Sequence, residues 1–146
     1  MKKLFIYYSF TGNGDVVAEY LKNKVDIRKV ETKEKLPKTF FFQMMVGGFK
    51  GGIGYKDKLY DYDKDISKYD EIIIGSPIWN GSICAPINRV LDDLDLKDKK
   101  LSFIFWSGSG TSPSATKKVN ELFGDVKVID LQEPIKNKNK LKKVII

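Results

Sequence analysis

Residues 4–15 read Leu4-Phe5-Ile6-Tyr7-Tyr8-Ser9-Phe10-Thr11-Gly12-Asn13-Gly14-Asp15, and the reading of this stretch decides the fold. Its opening run, Leu4 to Tyr8, is apolar or aromatic without a break. Such a run suits a strand buried on both faces, because a half-wet strand would alternate. Hydroxyls, an amide and two glycines follow, which is loop composition. From Asp15 to Lys24 the residues Val17, Ala18 and Leu21 then recur at helical spacing. A buried strand passing through a glycine-bearing loop into an amphipathic helix is the opening of an α/β unit, in which helices cover a parallel sheet.

The rest of the chain repeats that alternation. Ile72–Ile74, Leu101–Phe105 and Val126–Leu131 are further strands, with a weaker one from about Val25 to Val30. Ile87, Val90, Leu91 and Leu94 form one helical stripe, and Ala115, Val119, Leu122 and Phe123 another. Pro86 and Pro113 stand where a first-turn proline belongs, with Ser112 as N-cap. Residues 32–67 hold Phe40-Phe41-Phe42, then Gly47-Gly48, Gly51-Gly52 and Gly54, then a tyrosine-rich stretch to Tyr62. The spacing of Phe41, Met45 and Phe49 predicts a helix laid over the sheet and frayed by its glycines, followed by an extended crossing. Leu141, Val144 and Ile145 predict a short closing helix.

The chain has 146 residues, so one domain spanning 1–146 is expected. Hydrophobic residues at 42% and charged residues at 31% are ordinary for a folded domain. The longest apolar stretch, Phe40 to Phe49, is broken by Gln43 and two glycines and falls short of the ~18 residues of a spanning helix. No secretory pattern precedes the first strand, which makes the cytoplasm the expected location. A single cysteine, Cys84, excludes an internal disulfide. The absence of histidine removes His-based dyads, triads and the usual zinc sets, and no metal site is expected. Lysine and arginine total 26 against 19 acids, a net +7, with five lysines between Lys136 and Lys143 where no acid sits. That run lacks interleaved aromatics and reads as a solvated helix entry rather than a nucleic-acid site.

Candidate chemistry lies in the loops after the first, third and fourth strands, at the sheet edge where open α/β folds bind ligands. Ser9-Phe10-Thr11-Gly12-Asn13-Gly14 combines hydroxyls, an amide and bared backbone N–H groups at a helix start, an anion cradle suited to a phosphate monoester. It has neither the lysine of a Walker loop nor the G-x-G-x-x-G spacing of a dinucleotide fold. Ser76-Pro77-Ile78-Trp79-Asn80-Gly81 and Trp106-Ser107-Gly108-Ser109-Gly110 each join a tryptophan to glycines and small hydroxyls. Such loops bring backbone amides to the edge of a flat heterocycle while an aromatic side chain covers its face.

These motifs resemble the flavodoxin-like family. Ser9, Thr11, Gly12 and Asn13 match its phosphate loop S/T-x-T-G-x-T. Gly75-Ser76-Pro77-Ile78-Trp79 is similar to its second flavin loop, and Trp106 to Gly110 occupies the place of its third. The resemblance implies a three-layer sandwich with a five-stranded parallel sheet of order 2-1-3-4-5, and FMN as cofactor bound by the residues just quoted. Gly14 stands where the pattern has threonine, and Asp15 follows it; both imply weaker FMN binding, and a threonine restored at position 14 would tighten it. Trp79 and Trp106 are both expected at the flavin. Asn80-Gly81 is either a tight turn or a mobile peptide that stabilises a one-electron state. The implied function is an FMN electron carrier working with a redox partner protein. The alternatives are an NAD(P)H-dependent oxidoreductase reducing a quinone or similar acceptor, and, in another class, a cofactor-free binding protein with a basic tail.

Overall fold

Five parallel strands form the centre of the structure, a computed structural model that describes residues 1–37 and 39–146, with backbone alone at positions 40, 41 and 44. In chain order the elements are β1 (Lys3–Tyr7), α1 (Asn13–Leu21), β2 (Asp26–Lys29), α2 (Phe40–Gly52), β3 (Glu71–Trp79), β4 (Ser82–Ile83), α3 (Ala85–Asp93), β5 (Lys100–Ser107), α4 (Pro113–Phe123) and β6 (Lys127–Gln132). A 3-10 helix spans Lys138–Lys143. The parallel strands run in the order β2-β1-β3-β5-β6. With the two-residue β4 set aside, an antiparallel appendage of β3, this is the expected 2-1-3-4-5 order.

β3 organises the sheet because every residue from Glu71 to Ile78 is buried. Its Ile72 and Ile74 face one layer with Ile6, Phe103, Phe105 and the inner sides of α3 and α4. Its Ile73 faces the other with Phe5, Ile104, Trp106, α1 and the chain's last turn. Alternate side chains of one strand thus fill two cores, as a doubly covered strand must. α4 starts on Pro113, and α3 carries Pro86 as the second residue of its first turn. Ser112 occupies the N-cap position of α4, yet its hydroxyl reaches Asp130 and Thr116 rather than a helix amide.

Three expectations need correction. The first concerns α2, which exists as predicted but is turned the other way. Met45 and Phe49 are 55% and 66% exposed, whereas Gly47, Gly48 and Gly51 are buried. The side chain of Phe41, expected on the same stripe, lies outside the described residues. The cause is close approach. A Cβ on Gly47 would sit 2.6 Å from the Trp79 ring, and one on Gly51 would sit 2.6 Å from the Ile83 carbonyl oxygen. The inner face of α2 is therefore its glycines, and its bulky residues are left outside. Lys50 pins the helix there, donating to Glu34 at 3.2 Å and to the buried Asp57 at 3.1 Å. Secondly, the closing segment is 3-10 rather than α; Leu141 and Val144 are buried, but Ile145 is exposed. Two of its lysines reach β6, with Lys140 donating to Gln132 and Lys143 to the Asp130 carbonyl. Thirdly, Leu122 of α4 faces solvent.

Neighbouring glycines on α2 separate packing from propensity. Gly51→Ala should destabilise the fold by ~1–3 kcal/mol, because the added methyl drives into backbone that has nowhere to move. Gly52→Ala meets nothing closer than 3.9 Å, and should be neutral or stabilising by up to ~1 kcal/mol through helix propensity. Urea unfolding of the two variants checks the pair; equal shifts would mean that α2 does not dock through this face.

Candidate functional site

The carboxyl ends of β1, β3 and β5 open on one cavity of about 340 Å³. β1 leads to α1 on one face of the sheet and β3 leads to α3 on the other, so the cavity lies at a topological switch point. Phe10, Thr11 and Asn13 line it from the first loop, Pro77, Ile78 and Trp79 from the end of β3, and Trp106, Ser107 and Gly108 from the end of β5.

The first loop closes on itself before it offers anything to a ligand. Gly12 adopts φ +95°, a left-handed conformation costly for side-chain-bearing residues. The Gly14 N–H donates to Ser9 Oγ at 3.1 Å and the Val16 N–H to the Gly12 carbonyl at 3.1 Å. Ser9 is buried and closes the loop, and Gly14 has no amide left to give, contrary to the expectation for both. The N–H groups of Thr11, Gly12 and Asn13 donate to no described group. With the Thr11 hydroxyl beside them, they are the donors the loop leaves available at the cavity.

Position 14 is glycine for a steric reason. A Cβ there would lie 2.8 Å from Trp106 Cζ2, 2.8 Å from the Tyr7 ring and 2.9 Å from Ser9 Cβ. The indole of Trp106 fills the space that a threonine would take, so restoring the threonine cannot help. Asp15 is held away from any anion by the Tyr7 hydroxyl at 2.7 Å and Lys29 Nζ at 3.0 Å. Burial, and then the Asp15 carboxylate, push the Tyr7 phenol well above its ordinary pKa, so this partner stays protonated.

The two tryptophans differ. Trp106 is 3% exposed, wedged beneath Gly14 and within 3.0 Å of a Cβ on Gly75; it is a floor. Trp79 is half-buried at the cavity, edge-on to Tyr8 at 6.3 Å and to Phe10 at 6.0 Å between ring centroids. Asn80 (φ 51°) and Gly81 (φ 79°) form the two-residue turn between β3 and β4, with the positive φ at both positions that a type I′ hairpin requires. They stand outside the cavity lining, Asn80 against Gly48 of α2. Ser76 is also outside: fully buried, it donates to the Pro77 carbonyl at 2.8 Å and accepts the Cys84 N–H at 3.3 Å. Ser107 accepts the Gly110 N–H at 3.0 Å and Ser109 accepts that of Thr111 at 3.3 Å, so Ser109 and Gly110 shape the third loop without lining the cavity.

Four lining residues have no counterpart in the sequence reading. Gln43 comes from α2, and Glu133, Ile135 and Lys136 come from the segment after β6. That segment carries no glycine or hydroxyl to mark it as a ligand loop. The usable signal is topological, since every strand end of an open sheet borders the same edge. Among the described residues no cluster of His, Cys, Asp or Glu is arranged to hold a metal ion, and no helix is long and apolar enough to cross a membrane.

Comparison with known proteins agrees with this geometry. The sequence pattern described as NADPH-dependent FMN reductase matches residues 1–133. No curated protein matches the chain. A flavoprotein from Lactobacillus acidophilus, solved in complex with FMN, is 22% identical over 97% of this chain and 98% of its own, with a TM-score of 0.70. An archaeal flavodoxin is 17% identical over 98% and 92%, with a TM-score of 0.56. An NADPH-quinone reductase from P. pentosaceus is 12% identical over 97% and 94%, with a TM-score of 0.52. The shared feature is the flavodoxin-like fold.

Two outcomes follow from the packing. Gly14→Thr should cost ~1–3 kcal/mol of stability by overpacking, visible as a lower melting temperature; an unchanged melt would mean that Trp106 yields freely. Cys84 is fully buried, and burial pushes its thiol up to about 12. Iodoacetamide at neutral pH should leave it unlabelled in the native protein and label it in urea, as mass spectrometry would read; rapid native labelling would place the thiol in an opening segment.

Proposed function

The chain belongs to the NADPH-dependent FMN reductase family, and we propose that it is an FMN-dependent oxidoreductase taking reducing equivalents from NADPH at the cavity beside Trp79. FMN is its cofactor. The observation that carries this reading is the single cavity where three strand ends meet, with free amides on one wall and an indole on another. The cradle fits the group: Gly12 is left-handed and lacks a Cβ over the loop, and the donors at 11–13 suit a phosphate monoester. Thr11 and Asn13 would hold the phosphate. Trp79, Pro77 and Ile78 would cover the ring system, and Ser107 and Gly108 would meet its edge. When bound, the isoalloxazine supplies the electron and hydride chemistry. The chain's own part is to orient it, exclude water from its covered face and leave room for a donor or acceptor at the other.

A carrier that passes electrons to a partner protein is the second reading. It is supported by the apolar surface near the cavity, where Phe10 of the first loop and Phe42, Met45 and Phe49 of α2 are all exposed. Exposed apolar side chains of this kind suit transient docking. For the enzyme reading the acceptor is a quinone or a similar flat, small molecule able to stack at the open face.

Anaerobic mixing of FMN-loaded protein with NADPH separates the readings. Bleaching of the flavin within seconds, followed by reoxidation on adding a quinone, is the expected result; no bleaching without a second protein favours the carrier. Thr11→Val keeps the shape and removes one donor to a charged group, so FMN affinity should fall by ~1.5–3 kcal/mol. Fluorescence titration measures it, and an unchanged affinity would remove Thr11 from the phosphate site.

A further inference from the structure

Among the described residues lining the cavity, Lys136 is the one cation and Glu133 the one anion. Neither lies in a loop of the flavodoxin pattern. The Ile135 N–H donates to Asn13 Oδ1 at 2.9 Å, and Ile135 Cδ1 lies 3.4 Å from where a Gly12 Cβ would stand. Residue 135 is therefore packed on the first loop, and Lys136 follows it directly. The backbone is held in this position. The N–H groups of Lys136 and Asn137 donate to the Glu133 carbonyl at 2.9 and 3.1 Å, and the Asn137 side chain donates to the Gln132 carbonyl at 2.9 Å. Glu133 itself takes φ 33°, a conformation that persists only where surrounding contacts enforce it. By contrast, the Lys136 side chain is 72% exposed, and Glu133 Oε1 at 3.3 Å is its hydrogen-bond partner.

The first loop by itself is poorly equipped for a dianion. Ser9 and the Gly14 N–H bond each other, which leaves neutral donors only, and the motif's usual last threonine is displaced by Trp106. A charge-assisted donor would compensate.

We infer that Lys136 is a phosphate-binding residue, moving from Glu133 to the 5′-phosphate of the cofactor, with Glu133 as the counter-ion that parks it when no phosphate is bound. This rests on the FMN reading above. The site thus has a fourth wall, contributed by the segment after β6, that supplies charge where the first loop supplies shape. Exchange between a carboxylate and a phosphate needs only side-chain rotation, since the backbone of the segment is already fixed.

Equilibrium titration of apo-protein with FMN and with riboflavin, followed by flavin fluorescence, tests the assignment without any turnover. Lys136→Gln should weaken FMN by roughly ten-fold or more, the worth of one charge-assisted bond. Riboflavin, which has no phosphate, should bind it as it binds wild type. Lys136→Arg should retain FMN affinity, and Glu133→Gln should tighten it by freeing the lysine. The salt dependence of FMN binding should be flatter in Lys136→Gln than in wild type. A circular-dichroism melt of Lys136→Gln should match wild type, because the side chain is exposed. Equal loss of FMN and riboflavin affinity, or no loss of either, overturns the assignment. So does an unchanged FMN affinity with weakened NADPH relative to NADH, which would give Lys136 to the dinucleotide's phosphate. Failure of wild type to bind FMN at all refutes the cofactor reading itself, and this inference falls with it.

Discussion

Two indole rings occupy space that only glycine leaves free, and the geometry of the cavity depends on that fit. Trp106 lies under Gly14 and beside Gly75, so the end of β5, the start of α1 and the middle of β3 share one contact. Trp79 lies against Gly47, so the end of β3 and the covering helix α2 share another. Interiors are packed to the density of organic crystals, and a methyl added at such a seat has no void to enter. The cavity is thus defined by its neighbours' packing. Its loops need few hydrogen bonds to each other because the strand ends beneath them are already locked by side-chain volume.

Charge is arranged with similar economy. The chain carries +7, but the acids near the site are each engaged. Asp15 is held by Tyr7 and Lys29, and Glu133, until a phosphate takes its lysine, by Lys136. A carboxylate left unpaired beside the first loop would oppose an anionic ligand, and pairing removes most of that opposition while keeping the residues as structural anchors. Beyond Lys136, the lysine-rich segment near the carboxyl end is structural. It folds back along β6 and buries Leu141 and Val144 against the face of the sheet that α1 covers.

The sheet was legible because β3 and β5 are long apolar runs that can be read only as doubly covered strands, and the loops between them carry their own turn chemistry. The orientation of α2 was not. Phe41, Met45 and Phe49 recur at helical spacing, but so do Gly47, Gly48 and Gly51, and hydropathy favours the wrong set. What decides is how near the neighbouring backbone comes, which belongs to tertiary structure. The role of Ser9 was missed for a related reason, since a hydroxyl in an anion-binding loop can serve the loop or the ligand and composition does not distinguish them. Glu133 and Lys136 were invisible because they are placed by a contact with Asn13 made across most of the chain.

That contact, Ile135 N–H to Asn13 Oδ1, joins residues 122 positions apart, and it bears on how the site comes into being. During synthesis the strands from β1 to β5 can pair while the remainder is still being made, but the fourth wall waits for the last of the six strands and the turn that follows it. A contact so distant in sequence raises the contact order, which slows folding. Any chain cut short before Ile135 would lose the latch on Asn13 together with Leu141 and Val144, which close one face of the sheet.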